Sequence, residues 1–352
     1  MTAAIRLTGL ATAAPATVLA QEEVAAAARG IFTPAGAPFE RLAPVYANAG
    51  IRTRRSAVPL AWYRKTGGWR ERNALYLEKA LALLEQAARR CLEDGGARAE
   101  EIDALVVVST TGIATPSLDA RLMDVLPFRR DVARLPIFGL GCAGGVLGLA
   151  RAAALARVSP GARVLFLVVE LCGLTFRSAD CSNSNVVATA LFGDGAAAAL
   201  LHSDGPPEMP AIAAWGEYTW PNSLDVMGWK VEDDGLGVLF SREIPDLIRR
   251  RFGAALDGFL ADRNLERSDI ARYLCHPGGA KVLDVLEDTL HLPRGGLVEG
   301  RDVLRDYGNM SAATLLFVLE RARRRSLAGR SLLTALGPGF TAGFLLLEAS
   351  VA

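Results

Sequence analysis

Apolar runs alternate along this chain with stretches in which apolar positions recur at helical spacing. The segments 104–108, 164–169, 196–201, 331–336 and 344–347 are apolar or nearly so, with little polar alternation. Such runs predict strands covered on both faces. The stretches 73–92, 143–157, 244–260 and 310–324 carry the spacing of helices. Strands separated by helices in this way predict a layered α/β fold.

The pattern also repeats. Displacing the sequence by 167 positions lays Gly141-Cys142 on Gly308-Asn309, each ahead of a helix rich in small residues. The same displacement lays Arg163 on Arg330, each at the head of an apolar run, and 104–109 on 271–276. Three elements in one register predict a duplicated chain, with halves 1–205 and 206–352 joined at the turn-rich Ser203-Asp204-Gly205-Pro206-Pro207. If a pseudo-twofold axis relates the halves, Cys142 and Asn309 each begin a central helix. His276, at the end of a strand, then joins them at the junction.

Each of the three residue types has chemistry to offer there. Cys142 sits in Leu140-Gly141-Cys142-Ala143-Gly144-Gly145, where the positive end of the helix dipole is expected to favour the nucleophilic thiolate. Of the three histidines, His202 and His291 read as a strand-end turn and a helix end. His276 runs into Pro277-Gly278-Gly279 at a sheet edge, where α/β proteins place ligands. Asn309 is an excellent N-cap residue, a role compatible with catalysis.

Composition narrows the possibilities. At 352 residues and 51% hydrophobic content the chain can bury one large core or two joined ones. A net charge of +1, without basic blocks interleaved with aromatics, argues against nucleic acid as a partner. Five cysteines, odd in number and without metal-ligand spacing, predict neither a disulfide framework nor a metal site and point to a reducing cytoplasm. The N-terminus lacks the apolar core of a signal peptide, and the run 164–169 is too short to span a bilayer.

Five motifs carry a family resemblance: Gly141-Cys142-Ala143-Gly144-Gly145, Leu191-Phe192-Gly193-Asp194-Gly195-Ala196, His276-Pro277-Gly278-Gly279, Gly308-Asn309-Met310-Ser311 and Gly337-Pro338-Gly339-Phe340. In this order they resemble the signatures of type III polyketide synthases, the chalcone synthase superfamily, over nearly the whole chain. The resemblance implies a thiolase-like αβαβα sandwich of two duplicated halves, a homodimer, and acyl-CoA and malonyl-CoA as substrates without metal or redox cofactor. It implies Cys142 as acyl-loading nucleophile, with His276 and Asn309 stabilising the enolate left when malonyl-CoA loses CO₂. Phe192 and Phe240 become aromatic gates between CoA tunnel and cavity. Thr111, Thr115, Cys172, Thr175, Ser311, Gly337 and Pro338 are expected to line the cavity.

The same resemblance leaves the CoA contacts sparse. Arg41 matches one basic position of the family, while Pro44 and Asn48 stand at two others. Lys281, and the basic run 52–55, are the candidates to compensate. Small residues at 111, 115 and 172 resemble bacterial members with a long acyl tunnel, so a fatty acyl starter and an alkylpyrone or alkylresorcinol product are expected. Ala335 and Leu336 replace the Gly-Phe of the usual cavity-floor loop. The alternatives are a tetrahydroxynaphthalene-type synthase with a malonyl starter, and a β-ketoacyl carrier-protein synthase III. Pro277-Gly278-Gly279 argues against the latter, which carries Gln-Ala-Asn after its histidine.

Overall fold

A computed structural model describes residues 4–33, 39–64 and 67–350. Nine strands form one hydrogen-bonded order. Five belong to the first half: Ala133–Ile137, Ala104–Val108, Arg163–Leu171, Asp194–Ser203 and Ile5–Ala13. The order continues through Ala211–Thr219, Thr341–Ala349, Gly329–Gly337 and Arg272–Cys275. Within each half a parallel pair is followed by antiparallel ones: Ala104–Val108 runs parallel to Arg163–Leu171, and Arg272–Cys275 parallel to Gly329–Gly337. The two halves meet at a seam of only two residue pairs, Ile5 with Ile212 and Arg6 with Ala211. The expected pair of sheets is thus joined along one short edge.

Two helices, Gly144–Val158 and Thr314–Arg324, fill the space between the two halves of this sheet. The first is apolar on nearly every side, as a helix buried from all directions must be. Strand residues alternate in the direction they serve. Val106, Val108, Phe166 and Val168 face these central helices, whereas Leu105, Val107, Leu165 and Leu167 face the long helix Trp69–Asp94. On the outer face of the second half lie Gly253–Ala261, Ala280–Leu290 and Val298–Tyr307. Helix, sheet, helix, sheet, helix is the layering the sequence implied.

The predicted elements survive with shifted ends. The 73–92 helix extends to Trp69–Asp94, and the 244–260 helix is continuous but passes through one wider π-type turn at Ile248–Phe252. The internal register needs correction at the point that matters most. Gly141 (φ +47°) and Ser311 (φ +46°) open matching 3₁₀ turns, Gly141–Ala143 and Ser311–Ala313, ahead of the two central helices. Each turn closes with an N–H···O bond of 3.1 Å, from Ala143 to Leu140 and from Ala313 to Met310. The structural offset here is therefore 170, and the counterpart of Cys142 is Ala312. Asn309 lies in the segment that leads into the second turn, where apolar strands alone cannot reveal a three-residue slip.

Glu170, near the end of its strand, anchors the loop beside these turns. Its carboxylate accepts bonds from Thr110 N (3.0 Å), Thr110 Oγ1 (2.7 Å) and Thr111 Oγ1 (2.8 Å). Complete burial pushes this carboxyl up to about 7, against the pull of those donors. The folded chain therefore holds the proton more tightly than the unfolded chain, so this group's stabilisation is full below pH 4.5 and is lost as pH rises through 7. The full shift is worth on the order of 3 kcal/mol. The melting temperature of the wild type is expected to fall between pH 5 and pH 8 more steeply than that of Glu170→Gln. Parallel melting curves for the two proteins across that range would refute this.

Candidate active site

Cys142 is aimed by its turn. The left-handed Gly141 tolerates no Cβ, which would lie 2.6 Å from Pro338 Cδ. The thiol is buried, with Sγ 3.7 Å from Ser311 Oγ. Burial pushes it from 9.0 up to about 12, opposed by hydrogen bonds from Ser311 and Asn309 and reinforced by Glu170. The expected thiolate at the helix start is thus not the resting form. A helix terminus supplies about 0.3–1 kcal/mol, less than one pK unit, and desolvation outweighs it.

His276 is held through its backbone, N–H to Thr334 O at 2.8 Å. Its ring is buried, and neither Nδ1 nor Nε2 has a hydrogen-bond partner among the described residues. Desolvation takes the imidazole down to about 4, which holds the ring neutral. Asn309 is not the N-cap of the turn, which is Met310, but the residue before it, and its Oδ1 accepts from Ser311 N at 2.8 Å as in an Asx turn. Its amide Nδ2 donates to Gly278 O at 3.3 Å, and its second hydrogen serves the Cys142 sulfur or a ligand oxygen in its place. Cys142, His276 and Asn309 line one cavity of about 360 Å³. A thiol, a neutral imidazole and an amide donor thus face a common space, the parts needed for acyl transfer through an oxyanion.

Two further spaces continue inward. A small one of about 30 Å³ lies among Cys142, Phe192, Trp229, Phe240, Ser311 and Pro338. Phe192 stands between Phe240 and Trp229, with ring centroids 5.7 and 6.1 Å away. Beyond Phe192 an apolar cavity of about 70 Å³ runs past Cys172 and Thr175 between the helices Gln21–Phe32 and Asn183–Leu191. Phe192 and Val238 are shared walls of the two.

Several expected residues sit elsewhere. Thr111 does not line these cavities, because its hydroxyl is spent on Glu170 and on Leu171 N (2.9 Å). Thr115 is exposed on the chain's own surface. Gly337 packs under the Cys142 turn, where a Cβ would lie 2.6 Å from Ala143 Cβ and from Leu140 O. Arg41 is exposed and off the cavity, whereas Lys281 is on its wall together with Arg242. The run 52–55 is not one cluster: Arg52 pairs with Asp306, Arg55 lies over Tyr307, and Arg54 is buried. Trp229 and Arg242 were not anticipated. Their flanking sequence, Met227-Gly228-Trp229 and Ser241-Arg242-Glu243, offers only a short hairpin and its exit.

Residues 59–205 match the N-terminal domain of chalcone and stilbene synthases, and residues 214–350 the C-terminal domain. The chain is 39% identical to 1,3,6,8-tetrahydroxynaphthalene synthase of Streptomyces peucetius subsp. caesius over 96% of itself and 91% of that protein. It is 38% identical to a putative chalcone synthase of Bacillus subtilis over 96% of both. Identity to the alpha-pyrone synthesis polyketide synthase-like Pks18 of Mycobacterium tuberculosis is 29%, over 97% of this chain and 90% of that one. The crystal structure of 1,3,6,8-tetrahydroxynaphthalene synthase from Streptomyces coelicolor superimposes with a TM-score of 0.93 at 28% identity, covering 99% of this chain and 100% of that one. The chain therefore belongs to the chalcone and stilbene synthase family of type III polyketide synthases, acyltransferases that condense CoA thioesters decarboxylatively without a redox or metal cofactor.

Proposed function

We propose that this enzyme loads a medium- or long-chain fatty acyl group from CoA onto Cys142, extends it with malonyl or methylmalonyl units, and closes the product to a pyrone or resorcinol. The observation that carries this reading is the apolar cavity behind Phe192, Cys172 and Thr175. Each methylene buried there gains about 0.8 kcal/mol. The alternative is a malonyl starter, favoured by the 39% identity to a tetrahydroxynaphthalene synthase.

In loading, Cys142 Sγ attacks the thioester carbonyl as His276 takes the thiol proton. The C–S bond to CoA then breaks, and the proton leaves with the CoA thiol. Malonyl-CoA next loses CO₂, and the electron pair of the broken C–C bond becomes an enolate. A ring N–H of His276 and the Asn309 amide hold its oxygen. The carbanion attacks the acyl group on Cys142 and expels Sγ. No carboxylate base is needed, because decarboxylation generates the nucleophile. Lys281 and Arg242, both without a protein partner among the described residues, meet the CoA phosphates at the cavity wall. Phe240 and Phe192 gate the passage inward, and Ser311 and Pro338 shape the space beside the nucleophile.

The expected homodimer uses the edge strand Ala133–Ile137 and the exposed Phe138 that follows it, together with the exposed Ile113 and Thr115 on the loop after the adjoining strand Ala104–Val108. A reducing cytoplasm suits the five free cysteines. The one segment among the described residues long and apolar enough to cross a membrane, Gly141–Val158, is largely buried between the sheet halves.

Three outcomes are expected. With malonyl-CoA and an acyl-CoA panel, product mass spectra should show starters of decanoyl length and above, and Cys172→Phe should shift the preference to shorter chains. Turnover of malonyl or aromatic starters alone would sink the fatty acyl reading. Asn309→Ala should slow malonyl-CoA decarboxylation about 10²–10³-fold, read as CO₂ release; an unchanged rate would remove Asn309 from the mechanism. Phe138→Asp should yield monomers in sedimentation velocity, and an unaltered dimer would place the interface elsewhere.

A further inference from the structure

Residues 53–55 of the basic run lie on a short strand, Thr53–Ser56, that turns alternate side chains inward. Arg54 is the inward arginine, only 4% exposed; among the described residues no carboxylate forms an ion pair with it, though the buried Asp194 is near enough to favour its charge. A buried guanidinium is costly unless hydrogen bonds satisfy it. Here those bonds converge on one short piece of backbone. Nη1 donates to Thr189 O (2.7 Å) and Phe192 O (2.8 Å), and Nη2 donates to Ala190 O (2.7 Å) and to Gln21 Oε1. Gln21 adds its own bonds to Ala190 O (3.1 Å) and Tyr46 O (3.0 Å).

These carbonyls belong to the C-terminal end of the helix Asn183–Leu191 and to the residue after it, where intrahelical partners run out. The chain passes from there directly into the crossing that carries the reacting groups. Phe192 and Asn309 form an isolated parallel bridge, with Asn309 N donating to Leu191 O at 2.8 Å and Gly193 N to Asn309 O at 2.9 Å. The crossing has no slack. A Cβ at Gly193 would overlap the Tyr307 carbonyl, and one at Gly308 would lie 3.0 Å from Leu191 O and 3.5 Å from Arg54 Cβ.

We propose that Arg54 is a positioning residue: by gathering the carbonyls of Thr189, Ala190 and Phe192 in one planar fork, it fixes the backbone bridge from which Phe192 and Asn309 both project. One buried cation then sets the oxyanion donor and the gate together. The proposal rests on the assignment of the enolate oxygen to Asn309. Cys142 stands on a separate turn and loading draws first on the thiol and His276, so its acylation depends on Arg54 less than decarboxylation does.

Arg54→Lys keeps the charge but loses the fork. Malonyl-CoA decarboxylation, measured as CO₂ release without a starter, should lose about ten- to a hundredfold in kcat, with KM and single-turnover acylation of Cys142 within about twofold of wild type. Product chain lengths should broaden as the gate loosens. A wild-type ratio of decarboxylation to acylation would overturn the proposal, as would an equal fall in both. If Arg54→Lys does not fold, Gln21→Leu, which frees the guanidinium from one side, decides by the same ratio: a selective fall upholds the proposal and an unchanged ratio overturns it. Asn309→Ala separates the two layers of the argument. Its loss of decarboxylation beside an unaffected Arg54→Lys refutes positioning alone, and its retention of decarboxylation refutes the reading beneath.

Discussion

The structure depends on how closely the two central helices begin to each other. Gly145 leaves no room for a Cβ against the Ala312 carbonyl, and Gly144 none against Val108 and Ala312. Small residues at these points let the two 3₁₀ turns touch, which puts the Cys142 thiol beside Ser311. A methyl group at either glycine would push the turns apart, and the thiol with them. The same glycines weaken the helix that carries them, so tertiary packing between the sheet halves holds it in place.

Burying the site this way has an electrostatic cost that the helix termini do not offset. Thiol, imidazole and the carboxyl of Glu170 are all driven toward their uncharged forms by loss of water. Neutral groups suit a reaction whose charge arises on the substrate. On the proposed mechanism, the enolate and the tetrahedral oxyanion would arise in a dry space where fixed donors act at full strength.

The fold was legible because it is written redundantly. Five apolar runs and four helical stretches, with three elements in one register 167 positions apart, leave few alternatives to a duplicated layered fold. Cys142, His276 and Asn309 were legible because each breaks an apolar pattern beside glycines. The error in register arose because the runs 164–169 and 331–336 match at 167 whatever the loops between them do, and three extra residues before Ser311 leave no trace in apolarity. Thr111 misled for another reason: whether a hydroxyl faces a cavity or a neighbouring carboxylate is decided by a partner 59 residues away. Arg54 reads as surface charge in sequence, since only the alternation of a four-residue strand turns it inward. Trp229 gave no signal, because its ring meets Phe192 through a hairpin whose docking is purely tertiary.

His276 has no carboxylate behind it: both ring nitrogens are unpartnered among the described residues, and burial alone accounts for its low basicity. In a Ser-His-Asp triad the acid fixes which nitrogen carries the proton. Here the protein leaves that choice to whatever occupies the cavity. On the proposed mechanism, one ring accepts a proton from a thiol in the first half-reaction and presents an N–H to an oxygen in the next, without any side chain having to move. On that mechanism the tautomer is a variable set by the substrate, and a single imidazole serves each step in turn.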